Sequence, residues 1–238
     1  MQIVAHRGVT EYAPANTMPA FEYAFALGAD ALECDVRLTR DHVPVLTHVF
    51  AVNDVRGGSG PIFSYDNTEI RSTDADHIPT LDEMLEAFAG RIGLEIEMKG
   101  PEPESALIVA AALQPYRRLW DGIEVTSYEP VLLREMQARC PGLATDLLAS
   151  RSESWMTPET VAHLTIHRSR LARARSIHLH PTQLLPGTVA AIRAAGIEVH
   201  AWDVNDAHAL ATVTALHIPR ICTDRLEEAL SHRPYPFP

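Results

Sequence analysis

Short apolar runs separated by helix-length segments recur along the whole chain, and this alternation constrains the fold more than any other feature of the sequence. Candidate strands fall at 2–6, 31–39, 43–48, 92–99, 122–128, 143–149, 176–180, 197–204 and 219–223. Only Arg40, Asp41 and His42 lie between 39 and 43, whereas a parallel crossover needs about ten residues or more. The 43–48 segment must therefore fold back antiparallel as a hairpin. With it set aside, eight strands remain, each followed by a helical segment, which is the arithmetic of an α/β (β/α)8 TIM barrel. A chain of 238 residues is long enough for one such barrel. No internal repeat or linker divides it, so 1–238 is read as a single domain.

Local signals agree with that division. Thr80-Leu81-Asp82-Glu83 reads as a capping box, Thr157 before Pro158 as an N-cap with proline in the first turn, and Gly196 as the stop of a helix over 189–195. The polar stretch from Asn53 to Asp76, with Gly57-Gly58-Ser59-Gly60-Pro61, shows no clear period. Together with the hairpin it forms an insertion over about 43–78 after strand two. It is expected to be a long excursion that lies as a lid over the site.

A net charge of −11 argues against nucleic acid and against general attraction to anionic membranes, so any phosphate must be held by local positive charge. Met1-Gln2-Ile3-Val4 leads straight into a strand, without a basic segment followed by an apolar one, and no run long enough to span a bilayer follows. Cys34, Cys140 and Cys222 are odd in number and widely spaced, which fits reduced thiols better than a disulfide framework. The expectation is a cytoplasmic enzyme without a membrane partner.

The chemistry concentrates early. His6-Arg7-Gly8 ends one apolar run, Glu33 and Asp35 sit inside the next, and His48 closes the hairpin. Spacing of two on a strand sends both carboxylates to one face, where repulsion and desolvation are costly unless a cation lies between them or one is protonated. Metal is the simpler answer. A hairpin turn centred near Asp41 returns His48 to the level of residues 33–35, within one residue. Further on, Glu95, Glu97 and Lys99 share one strand face while Leu94, Ile96 and Met98 share the other. In a barrel the aliphatic set meets the helices and the three charges point inward, either as functional groups or as a buried ion-pair ladder. His178 and His180, two apart on a strand, can share a face as well.

The run from His6-Arg7-Gly8 through Asn16-Thr17 and Glu33-Cys34-Asp35 to His48 resembles the glycerophosphodiester phosphodiesterase family. So do Ile78-Pro79-Thr80-Leu81-Asp82-Glu83, Glu95-Ile96-Glu97-Met98-Lys99, Val125-Thr126-Ser127-Tyr128, Ala201-Trp202-Asp203-Val204-Asn205 and Ile221-Cys222-Thr223-Asp224, which follow in the family's order. The resemblance covers nearly the whole chain. It implies a metal-dependent phosphodiesterase that converts glycerophosphodiesters to an alcohol and glycerol 3-phosphate. By the same resemblance His6 and His48 form the acid–base pair, with the role of each left open. Arg7 and Lys99 would hold the phosphate, and Trp202 would lie near the substrate or pack in the core. Glu97 would complete a site for one divalent cation with Glu33 and Asp35. Three carboxylates select a hard ion, Mg2+ or Ca2+, with Mn2+ as a further candidate.

The expected partner is a small-molecule phosphodiester, and the oligomeric state is left open. Two alternatives share the barrel. A lysophospholipase D- or sphingomyelinase D-like enzyme would show an exposed apolar patch near the mouth, and a catalytically impaired homologue would bind a phosphodiester without turnover. Ala15 stands where the family has Glu, Val49 where it has Asp, and Asp203 where it commonly has Thr. The first two changes are expected to leave Arg7 and His48 without a neighbouring carboxylate, giving a slower or differently specific site. Glu95, His178 and His180 match no functional position of the family.

Overall fold

The structure is a computed structural model and describes residues 1–55, 58–71 and 78–233. In chain order its strands are β1 (Gln2–Ala5), β2 (Ala31–Leu38), β3 (Pro44–Leu46), β4 (Ala51–Val55), β5 (Gly58–Pro61), β6 (Gly93–Met98), β7 (Ile123–Ser127), β8 (Ala144–Leu148), β9 (Ser176–Leu179), β10 (Glu198–Ala201) and β11 (Arg220–Thr223). The helices are α1 (Met18–Leu27), α2 (Asn67–Arg71), α3 (Leu81–Phe88), α4 (Ser105–Leu113), α5 (Pro130–Arg139), α6 (Pro158–Ala172), α7 (Pro186–Ala194), α8 (Ala207–Ala215) and α9 (Leu226–Ser231). Among the described residues, β1, β2 and β6 to β11 form one parallel sheet, and pairing of β1 with both β11 and β2 closes it into the expected eight-stranded barrel.

The two faces of each strand meet different environments. Residues such as Ile3, Leu32, Leu94, Ile96, Val125, Leu147, Ile177 and Val199 turn outward and pack with Phe21, Leu85, Val109, Leu133, Met136 and Ile192 of the surrounding helices in one continuous apolar core. Their alternates point into the barrel, and many are charged: Glu33, Asp35, Glu95, Glu97, Glu124, Asp146, His178 and His200 are all buried. Helix ends are fixed by the predicted chemistry. Thr80 and Glu83 form a reciprocal capping box at α3, and Thr157 accepts from the Thr160 N–H with Pro158 in the first turn of α6.

β3 pairs antiparallel with β2, Val36 opposite Leu46 and Arg37 opposite Val45, as the three-residue connection requires. The Thr47 N–H donates to the Asp35 carbonyl at 2.9 Å, so His48 stands at the level of Cys34, inside the expected range. The excursion that follows departs from expectation. β4 and β5 form a second antiparallel hairpin, a 3-10 turn covers Ile62–Ser64, and α2 comes next. Val52, Ile62 and Ile70 pack with Val45 in a small separate cluster, at spacings too irregular to produce a helical or strand period in the sequence. Arg40 fastens the segment, reaching Asp66 at 2.7 Å and Glu69 at 2.8 Å. None of its described residues lines the cavity at the barrel mouth, so they do not form the expected lid. Residues 56–57 and 72–77, with Gly57 and Asp76 among them, lie outside the described residues.

Among the described residues no helix is long and apolar enough to cross a membrane. Cys34, Cys140 and Cys222 are buried free thiols.

Candidate active site

The carboxyl end of β1 turns sharply. Arg7 has φ 58° and Gly8 φ 82°, and a Cβ on Gly8 would lie 2.5 Å from the Ala20 carbonyl carbon, so glycine is needed for this turn to rest on α1. A non-glycine residue in the left-handed region costs roughly 1–2 kcal/mol. Two hydrogen bonds hold Arg7 there: its N–H donates to Glu33 Oε2 at 2.9 Å, and its carbonyl accepts from the Asn16 N–H at 3.0 Å. Beside it, Nδ1 of His6 donates to Asp224 Oδ1 at 2.6 Å, which leaves Nε2 directed toward Glu33 Oε2 at 3.9 Å.

Glu33 and Asp35 face inward from β2, and Glu97 stands directly beside Asp35 in the register with β6. One oxygen from each of the three lies within 4.8 Å of the others, and all three residues are buried. Burial raises Glu33 well above the usual carboxylate range, and the charges of Asp35 and Glu97 raise it further. Burial, then Asp35, pushes Glu97 up to about 7 against the opposing charge of Lys99. Asp35 is buried too, but Lys99, Arg7 and the Asn16 amide hold it below its ordinary value. Lys99 Nζ spans Glu97 at 2.8 Å and Asp35 at 3.2 Å, and Arg7 Nε lies 2.8 Å from Asp35. Three carboxylates against two fixed cations leave negative charge uncompensated, and buried Glu33 Oε1 accepts no hydrogen bond. Hard oxygen donors with an orphaned lone pair fit a divalent cation such as Mg2+ or Ca2+.

His6, Arg7, Glu33, Glu97 and Lys99 line one small cavity at the barrel mouth, about 130 Å³, together with His48, Glu95, Thr126, Tyr128 and Trp202. His48 is exposed at the end of the hairpin. Partial burial, and then the nearby charges of Arg7, Lys99 and Arg37, lower its pKa despite the attraction of Asp35. The Trp202 indole N–H donates to the Ala149 carbonyl at 3.1 Å, which fixes the ring in the cavity wall. A roomier cavity of about 380 Å³ opens at the opposite end of the barrel, lined by Glu124, Arg175, His200 and Arg220. The convergence of cations, carboxylates and histidines, rather than volume, marks the candidate active site.

Every residue expected at the site from the sequence lines or borders this cavity: His6, Arg7, Glu33, Asp35, His48, Glu97, Lys99 and Trp202. Two partners were not foreseen. Asn16 both donates to Asp35 Oδ2 at 2.8 Å and accepts from the Asp35 N–H at 3.1 Å, and Asp224 orients His6. The Asn16-Thr17 and Thr223-Asp224 pairs were the available signals. The expectation that Arg7 lacks a carboxylate neighbour is corrected, because Asp35 takes that place although Ala15 is exposed. Asp203 ties the rim to Arg151 and accepts from the Asn205 amide. Its carboxylate also stands 3.5 Å from His180 Nε2. Glu95, at the inner end of the cavity, pairs with Arg220 at 3.1 Å. His178 and His180 do share the inner face, but His178 sits deep among Glu95, Glu124 and Asp146, beneath the mouth cavity and not in its lining.

The model of the Glycerophosphoryl diester phosphodiesterase family matches residues 6–228. A glycerophosphodiester phosphodiesterase of Caldanaerobacter subterraneus subsp. tengcongensis is 27% identical over 247 residues, covering 96% of each chain. Among solved structures, the chain is similar to the glycerophosphodiester phosphodiesterase of Agrobacterium tumefaciens, with a TM-score of 0.78 and 26% identity over 97% of this chain and 99% of that one. It is also similar to an Oleispira antarctica phosphodiesterase solved with its product sn-glycerol-3-phosphate, with a TM-score of 0.81 and 25% identity over 98% of this chain and 96% of the other.

Proposed function

The chain belongs to the glycerophosphoryl diester phosphodiesterase family, and from that premise we propose that it hydrolyses glycerophosphodiesters to an alcohol and glycerol 3-phosphate. One divalent cation and the His6/His48 pair carry the reaction. The observation that carries this reading is the single small cavity lined by both histidines, Arg7, Lys99 and two of the three buried carboxylates. Its charge supports a diester. A divalent cation added to the site, with a singly charged phosphodiester, brings three carboxylates, Arg7 and Lys99 to neutrality. Glycerol 3-phosphate, the product bound in the Oleispira neighbour, is what the proposed reaction would release.

Glu33, Asp35 and Glu97 would hold the cation, which supplies Lewis-acid polarisation of a phosphoryl oxygen. Arg7 and Lys99 bind and orient the phosphate and stabilise charge on its non-bridging oxygens. His48, with its lowered pKa, is neutral at physiological pH and takes the proton from the attacking hydroxyl. His6, entering the step as an imidazolium whose Nδ1–H is held by Asp224, gives its Nε2 proton to the leaving alcohol. The attacking hydroxyl is the substrate's own vicinal one in the scheme that the family resemblance implies, and water then opens the cyclic phosphate.

One observation favours a second reading on lipid substrates. Val49 and Phe50, directly after His48, are 51% and 47% exposed, and Phe50 packs edge-on against Phe63, itself 40% exposed, at 5.6 Å between ring centroids. That is an apolar patch beside the mouth. A panel of glycerophosphocholine, glycerophosphoethanolamine, lysophosphatidylcholine and sphingomyelin separates the readings. Release of glycerol 3-phosphate from the first two supports the proposal. Preferential turnover of the lipids would replace it with the lipid reading, and binding without turnover of any would identify a phosphodiester-binding homologue.

A further inference from the structure

We infer that the barrel carries a second metal site toward its amino-terminal end, where Glu124, Asp146, His178 and His200 would bind a divalent transition ion such as Zn2+ in a closed four-coordinate shell. The four come from β7, β8, β9 and β10, one residue per consecutive strand, and all are buried. Nε2 of His178 lies 3.1 Å from Nδ1 of His200, 3.2 Å from Glu124 Oε1 and 3.8 Å from Asp146 Oδ2, which is 3.9 Å from His200 Nδ1. A tetrahedral shell with metal–ligand distances of about 2.0–2.1 Å has edges of about 3.3 Å, inside this spread.

The unused lone pairs point to the same place. Glu124 Oε1 is buried and, despite its nearness to His178, accepts no hydrogen bond in this geometry. His178 Nδ1 faces Glu95 Oε1 at 3.6 Å, and His200 Nε2 faces Glu198 Oε2 at 3.6 Å. Both contacts are longer than a hydrogen bond, and buried His178 Nδ1 has no hydrogen-bond partner among the described residues; a neutral ring with its proton on this outer nitrogen, beside the carboxylate, would present the inner one as a ligand. Arg175 donates to Glu124 Oε2 at 2.8 Å, which leaves Oε1 for the shell, and to Asp146 Oδ2 at 2.7 Å, an oxygen the ion would share, while the Ser176 N–H donates to Asp146 Oδ1 at 3.1 Å. The Ser176 hydroxyl, 3.2 Å from His200 Nδ1, is a rotor that can turn away. The 380 Å³ cavity lined by Glu124, His200 and Arg175 gives an ion its path in.

Two imidazoles and two carboxylates suit zinc or a neighbouring transition ion, whereas the all-oxygen trio at the other end suits Mg2+ or Ca2+. A shell filled by four protein ligands is structural, and would pin four adjacent strands together. The rival arrangement is a proton on His178 that binds the same atoms without metal.

The test uses the full-length Glu33→Gln/Asp35→Asn protein, which disables the first site. It is stripped with chelator, equilibrated with Zn2+ or Co2+, and desalted before metal analysis. One equivalent of zinc is expected to remain, to raise Tm, and to show imidazole nitrogens in its X-ray absorption spectrum; cobalt should give the intense visible bands of a four-coordinate ion. Adding His200→Gln should abolish retention while circular dichroism stays unchanged. If that variant does not fold, the absorption spectrum of the parent decides. No retained zinc, zinc retained undiminished in folded His200→Gln, or an oxygen-only shell would each overturn the inference.

Discussion

A 2.6 Å hydrogen bond from His6 Nδ1 to Asp224 makes the last strand of the barrel a partner in the chemistry of the first. Burial alone would raise the Asp224 carboxyl, but the bond to His6 and its charge, with Asn205, hold it below its ordinary range. A carboxyl with a depressed folded pKa contributes stability above its unfolded value of about 3.9, and that contribution is lost as pH falls through the lower folded value. The Tm difference between wild type and Asp224→Asn should therefore be widest near neutrality and close below about pH 4. A difference constant with pH would contradict the pairing. His6→Ala and His48→Ala should each lower kcat by roughly 10² to 10⁴, and the double variant by less than the product, because both act in one proton-transfer unit. Full turnover in either single variant on glycerophosphocholine would make that histidine structural. The histidines and carboxylates were legible in the sequence because each ends or alternates along a recognisable strand. Asp224 was not, since its role exists only once ring closure brings it to a residue 218 positions away.

The hairpin of β2 and β3 delivers His48, and the start of α3 braces it. The Leu46 N–H donates to the Pro79 carbonyl at 2.8 Å, and Val45 bridges to Thr80, the residue that caps α3. Thr80→Ala removes the capping box at a cost of about 1 kcal/mol, or about 2–4 °C in Tm for a chain of this size. Calorimetry should show that loss with kcat little changed; unchanged stability would mean that tertiary packing alone fixes the helix end. At this scale the barrel strands and their antiparallel guest could be read from periodicity and one connection too short for a crossover. β4, β5 and α2 could not, because Val52, Ile62 and Ile70 are tied together by contact with Val45 rather than by a repeating interval.

Across the whole molecule, the barrel interior concentrates charge instead of apolar packing. The mouth gathers His6, Arg7, Glu33, Asp35, Glu97 and Lys99; Glu124, Asp146, Arg175, His178 and Arg220 lie toward the opposite end, and Glu95 joins the two, lining the mouth cavity while pairing with Arg220. On a chain with a net charge of −11, Arg7 and Lys99 are, among the described residues, the cationic side chains that line the mouth cavity and can attract a phosphodiester. Their neutralising effect is partly spent on Asp35 and Glu97, which is why a further cation is needed. The most direct measurement follows glycerol 3-phosphate release from glycerophosphocholine by dialysed protein with chelator, then with Mg2+, Ca2+ or Mn2+ restored, for wild type and Glu33→Gln/Asp35→Asn. Wild type should lose activity on chelation and regain it with at least one of the three ions, while the double amide variant should stay inactive throughout. Undiminished release by the amide variant in the presence of chelator would contradict the metal-assisted site.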